Sequence, residues 1–235
     1  MRWAAGVLIT LLLLVGCAHT VTGSARQAAK AVQILPTEDE VTAAVGNPLS
    51  TFGFRPFIGN VEILPDGYRT ETDATPIACI AVTETAPRIV YEPAPVLEIA
   101  RQSYFNWDAG VDISGADAAV VRLSTADAAR ATYESFVRRW QQCDGVSVVK
   151  RPWGETKPEI DADVSEVSVA NMVLSATART HGGTNVQAAT YKRAIGVRLN
   201  TVVEVSLAIT PQGERKPTVP TPAVRLVQVM LDKVG

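Results

Sequence analysis

One helical stripe constrains the fold of this chain more than any other feature of its sequence. Between residues 124 and 143, apolar side chains recur at steps of three and four, which places them on one face of a helix. The stripe comprises Ala129, Tyr133, Phe136, Val137, Trp140 and Cys143. Ser124 and Asp127 have the spacing of a capping box, so we expect the helix to begin there. The stripe predicts a central helix with Trp140 in the core, Cys143 directed inward and Arg138 on a solvated face.

The N-terminal residues predict export and lipidation. Met1-Arg2-Trp3 is positively charged, and residues 4–15 form an apolar run of about 12 residues. A membrane span needs roughly 20, so the run is typical of a signal peptide. It ends in Leu14-Val15-Gly16-Cys17, which resembles the bacterial lipobox, where acyl chains are attached to the cysteine. We therefore predict a signal peptide over 1–16 and lipidation of Cys17. The alternative is an ordinary secretion signal with an incidental cysteine.

A lipidated Cys17 would place the protein on the extracytoplasmic face of the cell membrane, because two or more acyl chains anchor stably. Residues 17–33 are then the lipidated cysteine and a flexible tether rich in small residues, and residues 34–235 form one folded domain. The formal net charge of -2 argues against nucleic acid as a partner, since binding phosphates requires a basic surface. The expected partners are the membrane, through the anchor, and a cell-envelope ligand or membrane protein.

The cysteine count predicts one disulfide. The chain has three cysteines, and lipidation of Cys17 leaves Cys79 and Cys143. An even remainder in an oxidising compartment is typical of a disulfide. The competing interpretation is a metal site, but neither His19 nor His181 has a metal-ligand spacing from a cysteine. We therefore expect a Cys79–Cys143 bond, no metal and no cofactor.

Short helices and loops are predicted before the central helix. Residues 37–40 form a capping box that opens a short helix ending at Gly46. Residues 47–95 are punctuated by proline and glycine, so we expect loops and short strands, with residues 79–82 extended. Residues 95–100 are predicted as a short helix with proline in its first turn.

Strands are predicted after residue 115. The segments are 116–123, 146–149, 164–176, 187–199 and 202–209. The third is one long strand or two strands broken near Asn171. Short turns between successive strands indicate an antiparallel meander, and residues 223–234 have the spacing of a terminal helix. Because the strands are clustered rather than alternating with helices, the fold class is α+β with an antiparallel sheet.

Catalytic motifs are absent from the sequence. There is no nucleophile elbow, P-loop, HExxH, dinucleotide fingerprint or EF-hand loop. His181-Gly182-Gly183 faintly resembles an esterase oxyanion loop, although a hairpin turn is the favoured interpretation. Asp161, Asp163 and Glu166 could bind a cation, although a solvated strand face is favoured. We therefore predict no catalytic residue and no enzyme activity.

Two tryptophans are the only ligand-binding candidates that the sequence offers. Trp107 and Trp153 lie off the periodic stretches, where an aromatic side chain could line a cleft. Packing in the core is the favoured alternative for each.

Two short motifs resemble a known family. They are Trp140-Gln141-Gln142-Cys143-Asp144-Gly145 and the R-x-N-x-V-V-x-V pattern that begins at Arg198. Together with the predicted order of elements, they resemble the PknH-like extracellular domain. This is the sensor domain of certain mycobacterial membrane serine/threonine kinases, also found alone in mycobacterial lipoproteins. The resemblance covers residues 34–235.

The resemblance implies a twisted antiparallel sheet with packed helices and a cleft proposed to bind an extracellular ligand, without catalysis. The kinase domain carries two disulfides, whereas the mature chain has cysteines for one. Our leading hypothesis is a lipid-anchored domain that binds a ligand or partner in an apolar cleft beside the central helix. The alternative is a structural or assembly lipoprotein that scaffolds a membrane complex without a small ligand. A third class, an envelope hydrolase, would depend on His181.

Overall fold

The computed structural model describes residues 29–152, 158–182, 188–215 and 221–235. The predicted signal peptide, Cys17, His19, most of the tether and Trp153 lie outside these residues. Within the described ranges, no helix is both long enough and apolar enough to cross a membrane.

A nine-stranded antiparallel sheet forms the middle layer of the described structure. Its strands are β1 (Phe57–Gly59), β2 (Ala74–Thr75), β3 (Val96–Phe105), β4 (Ile113–Leu123), β5 (Ser147–Lys150), β6 (Ile160–Ala170), β7 (Val173–His181), β8 (Ala189–Arg198) and β9 (Thr201–Ile209). The spatial order is β1-β3-β4-β9-β8-β7-β6-β5-β2, and every neighbouring pair is antiparallel. The predicted α+β class and the antiparallel sheet are confirmed.

Helices cover both faces of the sheet. They are α1 (Ala31–Ile34), α2 (Glu38–Val45), α3 (Ile80–Thr83), α4 (Arg88–Tyr91), α5 (Ala126–Cys143) and α6 (Pro222–Asp232). Helices α1, α2 and α6 pack on one face, which we call the α6 face. Helices α3, α4 and α5 pack on the other, which we call the disulfide face. The domain therefore has three layers, with a separate hydrophobic core on each side of the sheet.

The α6 face is closely packed, and the first residues that pack on it precede residue 34, the predicted start of the domain. Ala31 is fully buried, and its backbone N–H donates to the Glu98 carboxylate at 2.9 Å, so the domain starts before residue 34. The predicted capping box of α2 is confirmed, because Thr37 and the side chain of Glu40 satisfy each other's backbone N–H groups. Gly46, at a φ of 84°, ends this helix in the left-handed conformation that glycine adopts without strain.

The disulfide face is organised by α5, as predicted. The side chains of Tyr133, Phe136 and Trp140 are buried on its inner face. Cys143 bonds to Cys79 with an S–S distance of 2.03 Å and a Cα–Cα distance of 5.7 Å, which confirms the predicted disulfide. The bond ties the C-terminal end of α5 to the residues that lead into α3.

The predicted start of α5 is wrong by one residue. Thr125, not Ser124, is the N-cap: its backbone is extended and its hydroxyl accepts from the Ala128 N–H at 3.0 Å. Alanine three residues after the cap cannot close a capping box, so Asp127 contributes only a charge in the first turn.

Two other predicted elements are also wrong. Residues 95–100 enter strand β3, because Ile99 faces one core and Ala100 the other, which buries a strand on both sides. Residues 79–82 are helical rather than extended, running from a 3₁₀ turn into α3. All four are buried, and a short run buried on every side does not distinguish a strand from a helix by periodicity.

The segment predicted as one strand or two is two strands. β6 and β7 are joined by a tight turn at Asn171 and Met172, whose φ angles are 51° and 61°. Positive φ at both turn residues matches the right-handed twist of a two-residue hairpin. His181 is the last residue of β7, and Gly183 of the predicted turn lies outside the described residues.

Candidate functional site

A cavity of about 330 Å³ opens on the disulfide face, where α5 no longer covers the sheet. The side chains that line it are mostly polar and include Glu84, Arg101, Asp117, Lys150, Tyr191 and Ser206. None of the lining residues belongs to α5; the wall opposite the sheet comes from residues 83–85, which end α3 and follow it. This cavity therefore differs from the expected cleft, because it is polar and does not lie against the central helix. We call this cavity the polar cleft.

The register of the sheet brings these side chains to one face. Ser103 pairs with Asp117, Asp117 with Ser206 and Ser206 with Arg193, so the four form one row across β3, β4, β9 and β8. Residues paired across strands point to the same face, and residues two apart along a strand share that face. Arg101, two residues before Ser103, therefore also faces the polar cleft.

A buried ion pair lies on the same face beside the polar cleft. Arg193 and Glu204 have fully buried side chains, and the Nη2 atom of Arg193 donates to Oε2 of Glu204 at 3.0 Å. The Tyr91 hydroxyl and the Ala86 N–H also donate to this carboxylate, at 2.5 and 3.0 Å. Burial raises the pKa of Glu204, although Arg193 and Tyr91 oppose this, and burial lowers the pKa of Arg193. The guanidinium lies 5.7 Å from the ring centroid of Trp140.

A second ion pair spans the polar cleft. Lys150 of β5 is buried, and its Nζ contacts Oε1 of Glu84 at 2.8 Å. Glu84 directly follows α3, so this bond holds the wall of the cleft against the sheet. On the floor of the cleft, Asp117 accepts a hydrogen bond of 2.5 Å from the Ser103 hydroxyl. These contacts fix charged groups on rigid elements around a solvent-accessible space.

The structure places Trp107 away from the polar cleft and outside the core. It is 71% exposed and stacks on Phe52 with a centroid distance of 4.3 Å and an interplanar angle of 10°. Phe54 and Phe57 are also exposed on the same edge of the sheet. We call Phe52, Phe54, Phe57 and Trp107 the aromatic surface.

His181 has carboxylate partners rather than a nucleophile. Its Nε2 lies 2.8 Å from Oδ2 of Asp163, and its Nδ1 lies 3.8 Å from Oδ2 of Asp161. Hydrogen bonds from Ser147 and then from His181 lower the pKa of Asp163. The Ser147 hydroxyl therefore contacts a carboxylate and not the imidazole, so this cluster does not activate a serine as a hydrolase does.

Glu166 is separate from this cluster. Its carboxylate accepts from Lys192 at 2.7 Å and from Thr177 at 2.5 Å on the α6 face. In the described ranges, no group of three or more His, Cys, Asp or Glu residues could hold a metal ion.

A second, larger cavity of about 540 Å³ lies on the α6 face. The ion pairs that line it include Lys192–Glu166 at 2.7 Å and Arg179–Glu214 at 3.6 Å. These charges satisfy one another, whereas the polar cleft contains donors that have no partner in the part of the chain that the structure describes. The polar cleft is therefore the stronger candidate for a ligand site.

The polar cleft was not predicted, although the sequence carries a signal for it. Arg193 and Glu204 stand at positions that face a core in strands otherwise rich in valine and alanine. Charged residues are almost never fully buried unless they are paired. Two such residues in consecutive predicted strands could have indicated a polar network inside the disulfide face.

Comparison with known proteins agrees with this architecture. The structure is similar to the crystal structure of the extracellular domain of PknH from Mycobacterium tuberculosis, with a TM-score of 0.65 and 20% sequence identity. The similarity covers 88% of this chain and 98% of that chain. No curated protein matches this chain.

At this identity the comparison shows a shared fold. The sequence model of the PknH-like extracellular domain matches residues 27–233, which confirms the resemblance seen in the two motifs. The chain therefore belongs to the family of PknH-like extracellular domains.

Proposed function

We propose that this protein is a lipid-anchored, extracytoplasmic binding protein whose domain takes a cell-envelope ligand in the polar cleft without transforming it. The observation that carries the proposal is the cleft itself. It has a volume of about 330 Å³, within the range of small-molecule sites, and its polar groups are fixed on sheet strands. The lipobox at residues 14–17 supports the anchor, and the family supports an extracytoplasmic sensing role.

The ligand is tested by blocking the polar cleft. Ala189 lines the cleft, so Ala189→Trp should fill it, while Ala131→Trp on the exposed face of α5 is the matched control. Ligand at 100 times its dissociation constant stabilises by about 2.7 kcal/mol, which raises the melting temperature by roughly 5–10 °C. Fractions of envelope extract should shift the wild type and the Ala131→Trp variant. A shift that survives in Ala189→Trp would place the ligand elsewhere, and no shift in any fraction would contradict the proposal.

The anchor is tested on the protein made in a lipoprotein-exporting bacterium. Mass spectrometry should find acyl chains on Cys17 as the first residue, and Cys17→Ser should release the protein from membranes. An unmodified N-terminus on membrane-free protein would refute this part of the proposal without affecting the cleft.

The aromatic surface favours the scaffold alternative. Exposed, stacked aromatic side chains such as Phe52 and Trp107 are typical of protein interfaces. In crosslinked membranes, a scaffold predicts one stoichiometric partner that is lost in the Phe52→Ser/Trp107→Ser variant and retained in Ala189→Trp. The opposite pattern would favour recognition through the polar cleft.

A further inference from the structure

Arg101 is a partly buried guanidinium that has no ionic partner among the described residues. Within the described ranges, its one hydrogen bond is a long contact of 3.4 Å from Nη1 to the Ile63 carbonyl oxygen. Among the described residues, no carboxylate lies within 4.0 Å of it. Burial lowers its pKa, although Asp117 and Glu204 raise it from a distance. Removing a cation from water is costly unless a partner compensates, so the free cleft leaves Arg101 incompletely solvated.

An arginine on the neighbouring strand, by contrast, does have a carboxylate partner. Arg122 of β4 contacts the Glu98 carboxylate at 3.0 Å on the opposite face. Arg101 differs from Arg122 because its side chain enters the polar cleft instead of meeting a carboxylate.

Two further donors in the polar cleft also lack a protein acceptor. In the described part of the chain, neither the Tyr191 hydroxyl nor the Ser206 hydroxyl makes a hydrogen bond, although Ser206 is buried. Tyr191 and Ser206 are diagonal neighbours on β8 and β9, facing the same side. The cleft thus offers a guanidinium that has no carboxylate partner and two hydroxyls that have no acceptor among the described residues.

One acceptor in the polar cleft is only half used. Oδ1 of Asp117 takes the hydrogen bond from Ser103, whereas Oδ2 has no hydrogen-bond partner among the described residues. Asp117 is the diagonal neighbour of Arg101 across β3 and β4 and the direct neighbour of Ser206 across β4 and β9. A ligand acid group on Arg101 would therefore leave a ligand hydroxyl within reach of Asp117.

We propose that the polar cleft is specific for a small oxyanion that also carries hydroxyl groups, with its acid group on Arg101 and a hydroxyl on Asp117. Tyr191 and Ser206 donate to the remaining ligand oxygens. This inference rests on the proposed function and adds the chemical class of the ligand. A neutral ligand would leave the Arg101 charge uncompensated, and a simple cation would leave all three donors unused.

The test uses three solutes that share one polyol skeleton. Glycerol 3-phosphate carries a phosphate, glycerate carries a carboxylate, and glycerol carries neither. Backbone amide and arginine Nε resonances of the folded domain are followed by NMR during titration. We expect saturable shifts around Arg101 and Ser206 with at least one of the two anions, and none with glycerol. The anion that binds distinguishes a phosphate ligand from a carboxylate ligand.

Variants decide whether Arg101 carries the recognition. Arg101→Met should weaken anion binding by about tenfold to a hundredfold, because a charge-assisted hydrogen bond is lost. Arg122→Met, on the opposite face, should leave binding unchanged. The melting temperature of Arg101→Met should not fall, since an uncompensated cation is removed. A lower melting temperature would instead indicate a structural role for Arg101.

Three results would overturn the inference: equal binding of glycerol, no binding of either anion, or anion binding that survives Arg101→Met. If envelope fractions still bind in a manner that Ala189→Trp abolishes, the proposed function stands and only the ligand class is wrong.

Discussion

The two faces of the sheet are built from the same strands but differ in chemistry. On β9, Val203 and Val205 enter the core of the α6 face, while Glu204 and Ser206 between and after them face the disulfide side. The core beneath α1, α2 and α6 is therefore apolar, while the ion pairs of the α6 face line the larger cavity. The disulfide face holds an ion pair at its centre and an open cleft beside it. Both faces pack a hydrophobic core, and the disulfide face also holds a buried ion pair and the polar cleft.

The covalent bond lies on the same face as the buried ion pair. A buried ion pair contributes little net stability, because desolvation offsets the attraction between the charges. The Cys79–Cys143 bond closes a sequence separation of 64 residues on that face, which stabilises by about 4 kcal/mol in the loop-entropy description. The α6 face has an apolar core and no disulfide among its described residues.

The largest expected effect on stability comes from breaking the buried ion pair of the disulfide face. Glu204→Leu leaves Arg193 buried without a counter-charge, so the free energy of unfolding should fall by about 3–5 kcal/mol. Adding Arg193→Met should recover most of that loss, because an apolar pair of similar volume replaces both charges. Urea unfolding of the two variants measures this. On the α6 face, the stability lost in Val205→Ala should not be recovered by a second substitution of this kind. A Glu204→Leu/Arg193→Met variant as unstable as Glu204→Leu alone would contradict the contrast between the two faces.

An intermediate effect is expected where α6 touches the sheet. A methyl group on Gly196 would lie 2.7 Å from side-chain atoms of both Val227 and Leu231. Gly196→Ala should therefore push α6 outward and lower the free energy of unfolding by about 1–3 kcal/mol. Gly115→Ala is the control, because its methyl group would meet neighbours no closer than 3.5 Å. Equal stability of the two variants in thermal unfolding would show that the α6 face is less tightly packed than described.

The smallest effect concerns the polar rim of the α6 face. Partial burial raises the pKa of Glu40, but hydrogen bonds from Lys233 and Thr37 outweigh it, so the folded pKa lies below its ordinary value. The resulting stability is present above a pH of about 4.5 and is lost as the pH falls through the folded pKa. Glu40→Gln should lower stability by less than about 1 kcal/mol at pH 7, because the pair is partly exposed.

Melting temperatures of wild type and Glu40→Gln, measured between pH 7 and pH 3, should converge as the pH falls. Glu134→Gln, at an exposed position of α5, is the control and should show no gap at pH 7. A gap for Glu40→Gln that widens toward acid would reverse the sign of this expectation.

The elements that could be predicted are those whose structure is determined by residues close together in the sequence. Helix α5 and the disulfide followed from one periodic stripe and from the cysteine count, both of which are properties of the sequence itself. Strand β3 did not, because its identity depends on pairing with β4 and on burial by both cores. Strands β1 and β2 are two or three residues long, too short to show an alternation.

The candidate site was hidden for a similar reason. Arg101, Asp117 and Ser206 are far apart in the chain and meet only through the strand order β3-β4-β9. No motif in the sequence indicates that strand order. Trp107 was predicted as a cleft residue because it lies off the periodic stretches, but it belongs to the aromatic surface, since its stacking partner Phe52 comes from a distant loop.

The two edges of the sheet have a consequence for how copies of this protein meet. β1 directly follows Pro56, and β2 directly precedes Pro76, so each border ends in a few residues beside a proline. Edges this short offer little free backbone for a strand of another molecule to extend. Even at high concentration, neighbouring copies should therefore not pair edge to edge into a continuous sheet. The long strands that form the floor of the cleft then stay accessible to solutes.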